Sequence, residues 1–336
     1  MGIPKKRKKH RMRKWYLGIA MGLIFLFGIS GWCLWNKNNE GDQETVSVYE
    51  DANVVTYKGK RYVYNDHLSH YLFLGIDIEK PTDTNQGSGQ AGQADTIFLL
   101  SRDRVQKTMF LLAIPRDTMA EMKVYGPEGK SLGKTIDHIN LAYGFGDGGR
   151  ESCVLMKEAV SNLLYGLPIQ GYCSLTMDVM GVLADSVGGV TVTVSDDSLK
   201  EIDPTWIKGS QINLTGETIE RFLRSRDVEE NQSALGRLQR QQVFLEAYGE
   251  KAMEIYKKTP SLPVQLYDNI EPYMVTNIGK DQFIQMMTDF SSNHNLESQM
   301  LPGAVQMGTT YEEYHVDENA LYELILEQFY VEEKEG

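Results

Sequence analysis

Arginine is concentrated in one stretch of the chain, Arg221 to Gln241 (RFLRSRDVEENQSALGRLQRQ). The stretch contains five of the chain's 13 arginines: Arg221, Arg224, Arg226, Arg237 and Arg240. A guanidinium group is always charged and donates paired hydrogen bonds in one plane, so it suits phosphate oxygens. Arg237, Arg240 and Gln241 have the spacing i, i+3, i+4, which places them on one side of a helix. The pattern indicates a phosphate-binding helix face, with a solvent-exposed face bearing salt bridges as the alternative.

Three aspartates lie at the ends of short apolar segments. Asp77 ends HYLFLGID, Asp95 precedes TIFLLS, and Asp117 follows Arg116 after TMFLLAIP. Carboxylates hold a hard divalent cation such as Mg²⁺ together with phosphate oxygens. Arginines neutralise the charge of a transferred phosphoryl group. These residue types are the parts of a metal–diphosphate site, although each aspartate alone is more often a cap or turn residue.

Two of these segments predict adjacent antiparallel strands. TIFLLS and TMFLLAIP are short and apolar, and a polar run separates them. With Ser101 opposite Thr108, Asp95 falls opposite about Ile114. Pro115 ends the second strand because it has no N–H to donate to the ladder.

This pairing brings Asp95, Arg116 and Asp117 to one edge of a sheet. If the strand that ends at Asp77 runs parallel to TMFLLAIP, its carboxylate reaches the same edge. Ligands of open α/β sheets collect at such strand ends. We therefore expect a site at this edge.

The remaining pattern predicts further elements around the sheet. A hairpin is expected at VVTYKGKRYVYN (54–65), and strands at 171–178 and after the Gly188–Gly189 turn. Helices are expected at 150–164, from 179 to that turn, and at 214–226, 236–258, 279–290 and 317–330, with Thr215 and Asp317 as N-caps. Residues 36–64 are interpreted as stalk and hairpin, and residues 65–332 as one extracytoplasmic domain.

The N-terminus has the pattern of a membrane anchor. Residues 1–14 carry eight basic residues and no acidic one, and residues 15–35 (WYLGIAMGLIFLFGISGWCLW) contain no charge. This length spans a bilayer as a helix, with aromatic residues at both ends. A cleaved signal peptide would have a shorter apolar region and a small-residue cleavage site. The basic tail is therefore expected in the cytoplasm and the rest outside the cell.

Composition excludes several other functions. Beyond residue 14 the chain has 26 basic against 46 acidic residues, so its general surface does not suit nucleic acid. The sequence contains no G-x-x-x-x-G-K-[ST], HExxH, CxxC or G-x-S-x-G motif, and its six histidines show no metal-binding spacing. Cys153 and Cys173 lie in apolar segments and are predicted to be buried free thiols rather than a disulfide.

Taken in order, these motifs resemble those of the LytR-CpsA-Psr proteins of bacterial cell envelopes. The resemblance covers most of residues 54–332, and its most specific parts are the IPRDT, SVGGV and GRxxRQ patterns. It is carried by FLGID (73–77), ADTIFL (94–99), AIPRDT (113–118), HINLAYGFGDGG (138–149), LADSVGGVTVTV (183–194), RSRD (224–227) and GRLQRQQ (236–242). The basic tail followed by a single span is also similar.

The resemblance implies a fold, a substrate and a reaction. The expected fold is three-layer α-β-α, with a mixed central β-sheet flanked by helices and preceded by the transmembrane helix. The expected activity is transfer of a glycopolymer, such as a teichoic acid or capsule, from polyprenyl diphosphate to peptidoglycan. The acceptor would be a muramic-acid 6-hydroxyl, joined through a phosphodiester, and the lipid would lie in an apolar groove.

The resemblance also assigns roles by motif. Asp77 and Asp95 match the metal-binding aspartates, for Mg²⁺ or Mn²⁺. The residues that match diphosphate-binding positions are Arg116, Arg224, Arg226, Arg237, Arg240 and Gln241. Arg116 and Asp117 form the catalytic pair, in which Asp117 is either an anchor for the arginines, which we favour, or a base.

Three positions depart from the family pattern. Gln93 replaces an arginine that often precedes the ADT motif, and His138 replaces a lysine. Ala234 stands where an acidic residue is common. His138 could titrate near neutral pH and partly replace the lysine. A lipid diphosphatase that uses water as acceptor, and a non-catalytic lipid- or glycopolymer-binding attenuator, therefore stay open as alternatives.

Overall fold

The structure is a computed structural model and describes residues 53–78, 91–126, 128–224, 233–293, 296–309 and 311–333. Its strands are β1 (Val54–Tyr57), β2 (Lys60–Tyr64), β3 (Leu68–Ile76), β4 (Ala94–Asp103), β5 (Met109–Ile114), β6 (Met119–Tyr125), β7 (Ser131–His138), β8 (Gly171–Thr176), β9 (Val190–Thr193), β10 (Gln211–Leu214), β11 (Met274–Thr276), β12 (Leu296–Met300), β13 (Gly303–Met307), β14 (Glu312–Val316) and β15 (Tyr330–Glu332). Its α-helices are α1 (Leu141–Gly144), α2 (Arg150–Leu163), α3 (Val179–Ser186), α4 (Gly216–Arg224), α5 (Ser233–Lys258), α6 (Leu262–Ile270), α7 (Lys280–Asn293) and α8 (Glu318–Phe329). The 3₁₀ turn Glu271–Tyr273 follows α6.

A six-stranded mixed sheet forms the centre of the fold. Its strand order is β11-β8-β3-β4-β5-β12. Strand β3 is parallel to β8 and antiparallel to β4. Strand β5 is antiparallel to β4 and parallel to β12. Strands β3 and β5 therefore run in the same direction, which is the condition under which Asp77 was expected to reach the same edge as Arg116.

Helices cover both faces of this sheet and create two apolar cores. Along β3 the side chains alternate, because successive residues of a strand point to opposite faces. Tyr71 and Phe73 pack into the core beneath α3 to α7. Leu72 and Leu74 pack into the core beneath α1, α2 and α8. The central mixed sheet flanked by helices, which was predicted, is confirmed.

Local signals place most of the helices where the sequence predicts them. Helix α2 spans Arg150–Leu163, and α3 is followed by Gly188 and Gly189, both with positive φ, before β9 begins. At the start of α8, the Asp317 side chain accepts a hydrogen bond from the backbone N–H of Ala320 at 3.0 Å. This confirms the predicted N-cap.

The N-terminal hairpin is attached to the domain through the end of the chain. Strands β1 and β2 pair around Lys58 and Gly59, which confirms the predicted hairpin. Strand β2 also pairs with β15, with Tyr64 opposite Tyr330. The sequence alone grouped this hairpin with the stalk, because the partner strand is more than 260 residues away.

Cys153 and Cys173 are buried free thiols, as predicted. Burial raises the pKa of each thiol to about 12. Within the described residues, no helix has both the length and the apolar character needed to cross a membrane. The predicted span, residues 15–35, and the basic tail, residues 1–14, lie outside the described residues.

Candidate functional site

Four of the predicted site residues, from three chain segments, meet at one edge of the central sheet. Asp77 follows the last residue of β3, and Asp95 is the second residue of β4. Arg116 and Asp117 follow β5 after Pro115. Because β3 and β5 end where β4 begins, their polar neighbours share this edge.

The register of β4 and β5 differs from the predicted register by two residues. Ser101 lies opposite Phe110 rather than Thr108, and Ile97 lies opposite Ile114. Continued to the edge of the sheet, this register places Asp95 opposite Arg116 rather than opposite Ile114.

The connecting loop accounts for the shift. The backbone N–H of Asp103 donates to the carbonyl oxygen of Thr108 at 3.0 Å. The Asp103 carboxylate accepts from the N–H groups of Val105 and Gln106, and Lys107 has φ 56°. This hydrogen bond puts Asp103 opposite Thr108, so Arg102 pairs with Met109 and the rest of the ladder follows in that register.

Arg116 is held between two carboxylates. Its Nη1 donates to Asp95 Oδ1, and its Nε donates to Asp117 Oδ1 at 3.3 Å. The Arg116 side chain is 42 % exposed, so it is also open to solvent. Burial lowers the pKa of the guanidinium, but the two carboxylates outweigh burial and raise that pKa above its ordinary value. Arg116 is thus a permanent cation fixed at the sheet edge.

The β6–β7 hairpin brings His138 to the same place. His138 pairs with Met119 at the end of the hairpin, and its Nδ1 lies 3.8 Å from Asp117 Oδ1. The backbone carbonyl of Asp117 accepts a hydrogen bond from the N–H of Tyr314 at 2.8 Å. Asp117 is thereby tied to β14 through its backbone and to Arg116 through its side chain. These contacts suit the anchoring role that we favour for Asp117.

Asp77 is positioned by the segment that precedes β4. The backbone N–H of Gln93 donates to Asp77 Oδ1 at 2.7 Å, and the N–H of Asp77 donates to the Gln93 carbonyl at 3.2 Å. Gly92 has φ +75°, and a Cβ there would lie 2.8 Å from Asp77 Oδ1. A side chain at position 92 would therefore press on the carboxylate.

Asn140 joins these parts, although the sequence offers no reason to single it out from its motif. Its backbone N–H donates to the Arg116 carbonyl at 3.2 Å, and its own carbonyl accepts from Ala94 at 3.3 Å. Its side-chain Nδ2 donates to Gln93 Oε1 at 3.1 Å. Asn140 is only 2 % exposed. The residue connects the segment carrying Asp95 with the segment carrying Arg116.

The arginine-rich stretch is described only in part. Arg226 lies outside the described residues, as do the side chains of Arg224, Arg237 and Gln241. Arg240, on α5, is 5 % exposed, and its Nη1 donates to the hydroxyl of Ser198 at 3.2 Å. The convergence of this stretch with Arg116 therefore stays a prediction.

The charge of Arg240 acts on the loop after β9. Burial raises the pKa of Asp196, but hydrogen bonds from Ser198 and Ser195, together with the charge of Arg240, lower it below its ordinary value overall. Arg221 contacts two other residues, Asp203 and Trp206. Its Nη2 lies 4.0 Å from Asp203 Oδ2, and its guanidinium lies over the Trp206 ring, 5.4 Å from the ring centroid.

Two further features bear on possible ligands. Among the described residues, no three His, Cys, Asp or Glu side chains form a group able to hold a metal. A carboxylate pair such as Asp77 and Asp95 needs other oxygen donors to complete a cation site. A cleft lined by Tyr64, Leu164 and Tyr322 lies at the opposite edge of the sheet, away from Arg116. The predicted lipid groove therefore also stays a prediction.

The fold and the site define a class of protein: a three-layer α/β protein with an arginine–aspartate cluster at the carboxyl ends of its central strands. The sequence profile described as the LytR_cpsA_psr family matches residues 34–329. The chain belongs to the LytR-CpsA-Psr family.

Two curated relatives match most of the chain. This chain is 27 % identical over 302 residues to a protein of Oceanobacillus iheyensis named polyisoprenyl-teichoic acid–peptidoglycan teichoic acid transferase TagU, and the match covers 86 % of each chain. The TagU of Bacillus subtilis is 25 % identical, with 96 % of each chain covered.

Solved structures support the fold. A structure described as TagT bound to LI-WTA has a TM-score of 0.53 and 21 % identity, covering 77 % of this chain and 88 % of that one. Bacillus subtilis TagV has a TM-score of 0.52 and 23 % identity, covering 76 % and 94 %.

Proposed function

We propose that this protein is a membrane-anchored phosphotransferase that attaches a polyprenyl-diphosphate-linked glycopolymer to peptidoglycan. The polymer belongs to the teichoic acid or capsule class. Membership of the family and the printed activity of its teichoic acid transferases support the proposal. The single structural observation that carries it is the placement of Arg116 between Asp95 and Asp117 at the sheet edge.

This placement suits the binding of a diphosphate. Phosphoryl transfer is catalysed mainly by positioning and by charge stabilisation. The neighbouring carboxylates direct the guanidinium of Arg116 along the sheet edge, and 42 % of its side chain stays open to solvent. Phosphate oxygens can take over the hydrogen bonds that Asp95 now accepts. Arg224, Arg226, Arg237, Arg240 and Gln241 are proposed to complete the diphosphate site.

The proposed reaction is a single displacement at phosphorus. The acceptor hydroxyl oxygen of a muramic acid forms a bond to the phosphorus on the glycan side of the diphosphate. The bond from that phosphorus to the bridging oxygen breaks, and the electron pair leaves with polyprenyl monophosphate. The hydroxyl proton passes to a base or to the released phosphate. The product is a phosphodiester between glycopolymer and peptidoglycan.

The site fits a hard divalent cation, Mg²⁺ or Mn²⁺. Asp77 and Asp95 supply carboxylate oxygens from adjacent strands, and the nearby Asn140 Oδ1 is buried without a hydrogen-bond partner among the described residues. When bound, such an ion neutralises phosphate charge. Gln93 holds Asp77 in place, and Asn140 links Gln93 to the segment carrying Arg116.

The proposed location follows from the sequence of the N-terminus. Residues 15–35 would span the cell membrane once, with residues 1–14 in the cytoplasm and the catalytic domain outside. This arrangement places the site on the side of the membrane where peptidoglycan lies. Nucleic acid is not an expected partner, because the domain is strongly acidic.

One assay distinguishes the proposed activity from its alternatives. The full-length protein is incubated with polyprenyl-diphosphate-linked glycan, peptidoglycan fragments and Mg²⁺. Glycopolymer on the peptidoglycan supports the transferase. Free phosphorylated glycan indicates a diphosphatase, and neither product indicates a binding protein.

Two arginine variants locate the activity in the molecule. Arg116→Ala is expected to lower the transfer rate at least 100-fold, because diphosphate charge is left uncompensated. Arg104→Ala serves as control, since Arg104 bonds the His67 carbonyl at the opposite end of β4. Equal activity of Arg116→Ala and the unmodified protein would refute the proposed site.

A further inference from the structure

One buried oxygen at the site accepts no hydrogen bond from the residues that the structure describes. Asn140 is 2 % exposed, and its Oδ1 accepts no hydrogen bond among the described residues. An unsatisfied buried acceptor lowers stability, because it loses its hydrogen bonds to water and gains none in the folded protein. Native proteins keep such groups where a water molecule, an ion or a function accounts for them. We therefore expect a water molecule or an ion to bind the side-chain oxygen of Asn140.

The other polar groups of Asn140 hold its side chain in place. The backbone N–H is bonded to Arg116, and the backbone carbonyl accepts from Ala94, the residue before Asp95. The side-chain Nδ2 donates to Gln93, whose own N–H holds the carboxylate of Asp77. An amide locked through its nitrogen cannot turn its oxygen freely elsewhere. The position of Asn140 Oδ1 is therefore fixed, because Asn140 is hydrogen-bonded to Gln93 and Ala94, which lie in the chain between Asp77 and Asp95.

We propose that Asn140 Oδ1 is a third protein ligand of the cation that the proposed function places at Asp77 and Asp95. This inference rests on that proposed function. Hard divalent cations take amide oxygens together with carboxylates, and Mg²⁺ keeps several positions for water or substrate phosphate. A neutral ligand adds a bond without adding negative charge. The cation can then still attract the phosphate oxygens of the substrate.

Cation binding without substrate tests the inference directly. The full-length protein in detergent is titrated with Mn²⁺ alone, and then with Mg²⁺ alone, by isothermal titration calorimetry. Asn140→Ala removes the oxygen and is expected to weaken Mn²⁺ binding at least tenfold. Asn140→Asp replaces the amide with a charged ligand of the same shape and is expected to tighten binding at least tenfold.

A matched asparagine at the far edge of the sheet controls for indirect effects. Asn277 Oδ1 accepts from the N–H of Tyr172 at 2.7 Å, and its Nδ2 donates to the Gln170 carbonyl. Asn277→Ala is expected to leave the Mn²⁺ affinity within twofold of the unmodified protein. If Asn140→Ala and Asn140→Asp also stay within twofold, Asn140 is not a ligand.

A second measurement does not depend on any variant folding. Crystals of the unmodified protein are soaked in Mn²⁺, and the anomalous signal locates the ion. A peak within coordination distance of Asn140 Oδ1 and a carboxylate supports the inference, and a water molecule at Oδ1 with Mn²⁺ elsewhere overturns it.

The failure of the inference can be told apart from failure of the proposed function. If the unmodified protein binds no divalent cation, the proposed cation itself is wrong, and this inference falls with it. If transfer also proceeds in the presence of a chelator, the phosphotransferase stands without a metal. If Mn²⁺ binds and the Asn140 variants bind it equally, only the role of Asn140 is refuted.

Discussion

Acidification should destabilise this protein through one buried histidine. His70 on β3 is fully buried, with its Nε2 2.9 Å from the Tyr64 hydroxyl and its Nδ1 2.7 Å from the Ser101 hydroxyl. Its ring packs edge-on against Phe329, with centroids 4.9 Å apart. Burial lowers the pKa of His70 from 6.5 to about 3, because the surroundings disfavour the imidazolium. The folded protein therefore keeps His70 neutral in mildly acidic solution.

The sign and size of the effect follow from proton linkage. Below pH 6.5 the unfolded chain binds a proton at this histidine and the folded protein does not. Protonation therefore favours the unfolded state, and the free energy of unfolding decreases as the pH falls from 6.5 toward 3. The loss is about 2 kcal/mol between pH 7.5 and pH 5, and it continues to increase toward pH 3. Two kcal/mol is a large share of the stability of a typical domain.

Urea unfolding of the full-length protein at several pH values measures this loss. His70→Gln keeps hydrogen-bonding groups at the position but cannot titrate, so its unfolding free energy should fall by about 2 kcal/mol less than that of the unmodified protein. The other histidines are common to both proteins, and their contribution cancels. His67→Gln, which removes an exposed histidine nearby, is the matched control for the loss of a histidine. Parallel pH profiles for His70→Gln and the unmodified protein would refute the reasoning.

Three other predictions concern charges and a thiol. Arg102 and Asp289 form an ion pair whose side chains are 12 % and 3 % exposed. Asp289→Ala should lower the free energy of unfolding, measured in urea, by about 3–5 kcal/mol, because it leaves the charge of Arg102 buried without a partner. The double variant Asp289→Ala/Arg102→Met should recover part of this loss. The Arg116–Asp95 pair is 42 % and 34 % exposed, so a double-mutant cycle should show a coupling below about 1 kcal/mol in stability; a larger value would contradict a mainly functional role. Cys153, whose pKa burial raises to about 12, should resist thiol reagents at pH 8 until the protein unfolds, as mass spectrometry of labelled peptides would show, because its thiolate fraction is on the order of one in ten thousand.

Much of the architecture could be predicted because it depends on local patterns. The apolar runs before Asp77 and around Pro115 are short and end in polar residues, which is typical of strands that stop at a sheet edge. The helix that follows Asp317 begins where a side-chain oxygen can cap it. Such signals act within a few residues, so they can be recognised in one sequence without knowledge of the fold.

The pairing register could not be decided from the same patterns. Shifting β5 by two residues along β4 leaves every side chain on the same face, so the apolar pattern is equally satisfied. The loop decided it, through the hydrogen bond between Asp103 and Thr108 and the left-handed Lys107. This two-residue difference determines whether Asp95 faces Ile114 or Arg116, and hence whether an ion pair forms.

The sequence by itself determined the residue types of the site, the antiparallel pairing of β4 and β5, and the family to which the motifs point. Only the tertiary structure decided that Asp95 bonds Arg116 and that β15 pairs with the N-terminal hairpin. It also decided that Asn140 is held by its other polar groups while its Oδ1 accepts no hydrogen bond from the described residues. The physical reason is that hydrogen-bond satisfaction is a property of the assembled surroundings. Asparagine in a turn has no distinctive pattern in sequence, and its unpaired oxygen exists only once the neighbouring segments have closed around it.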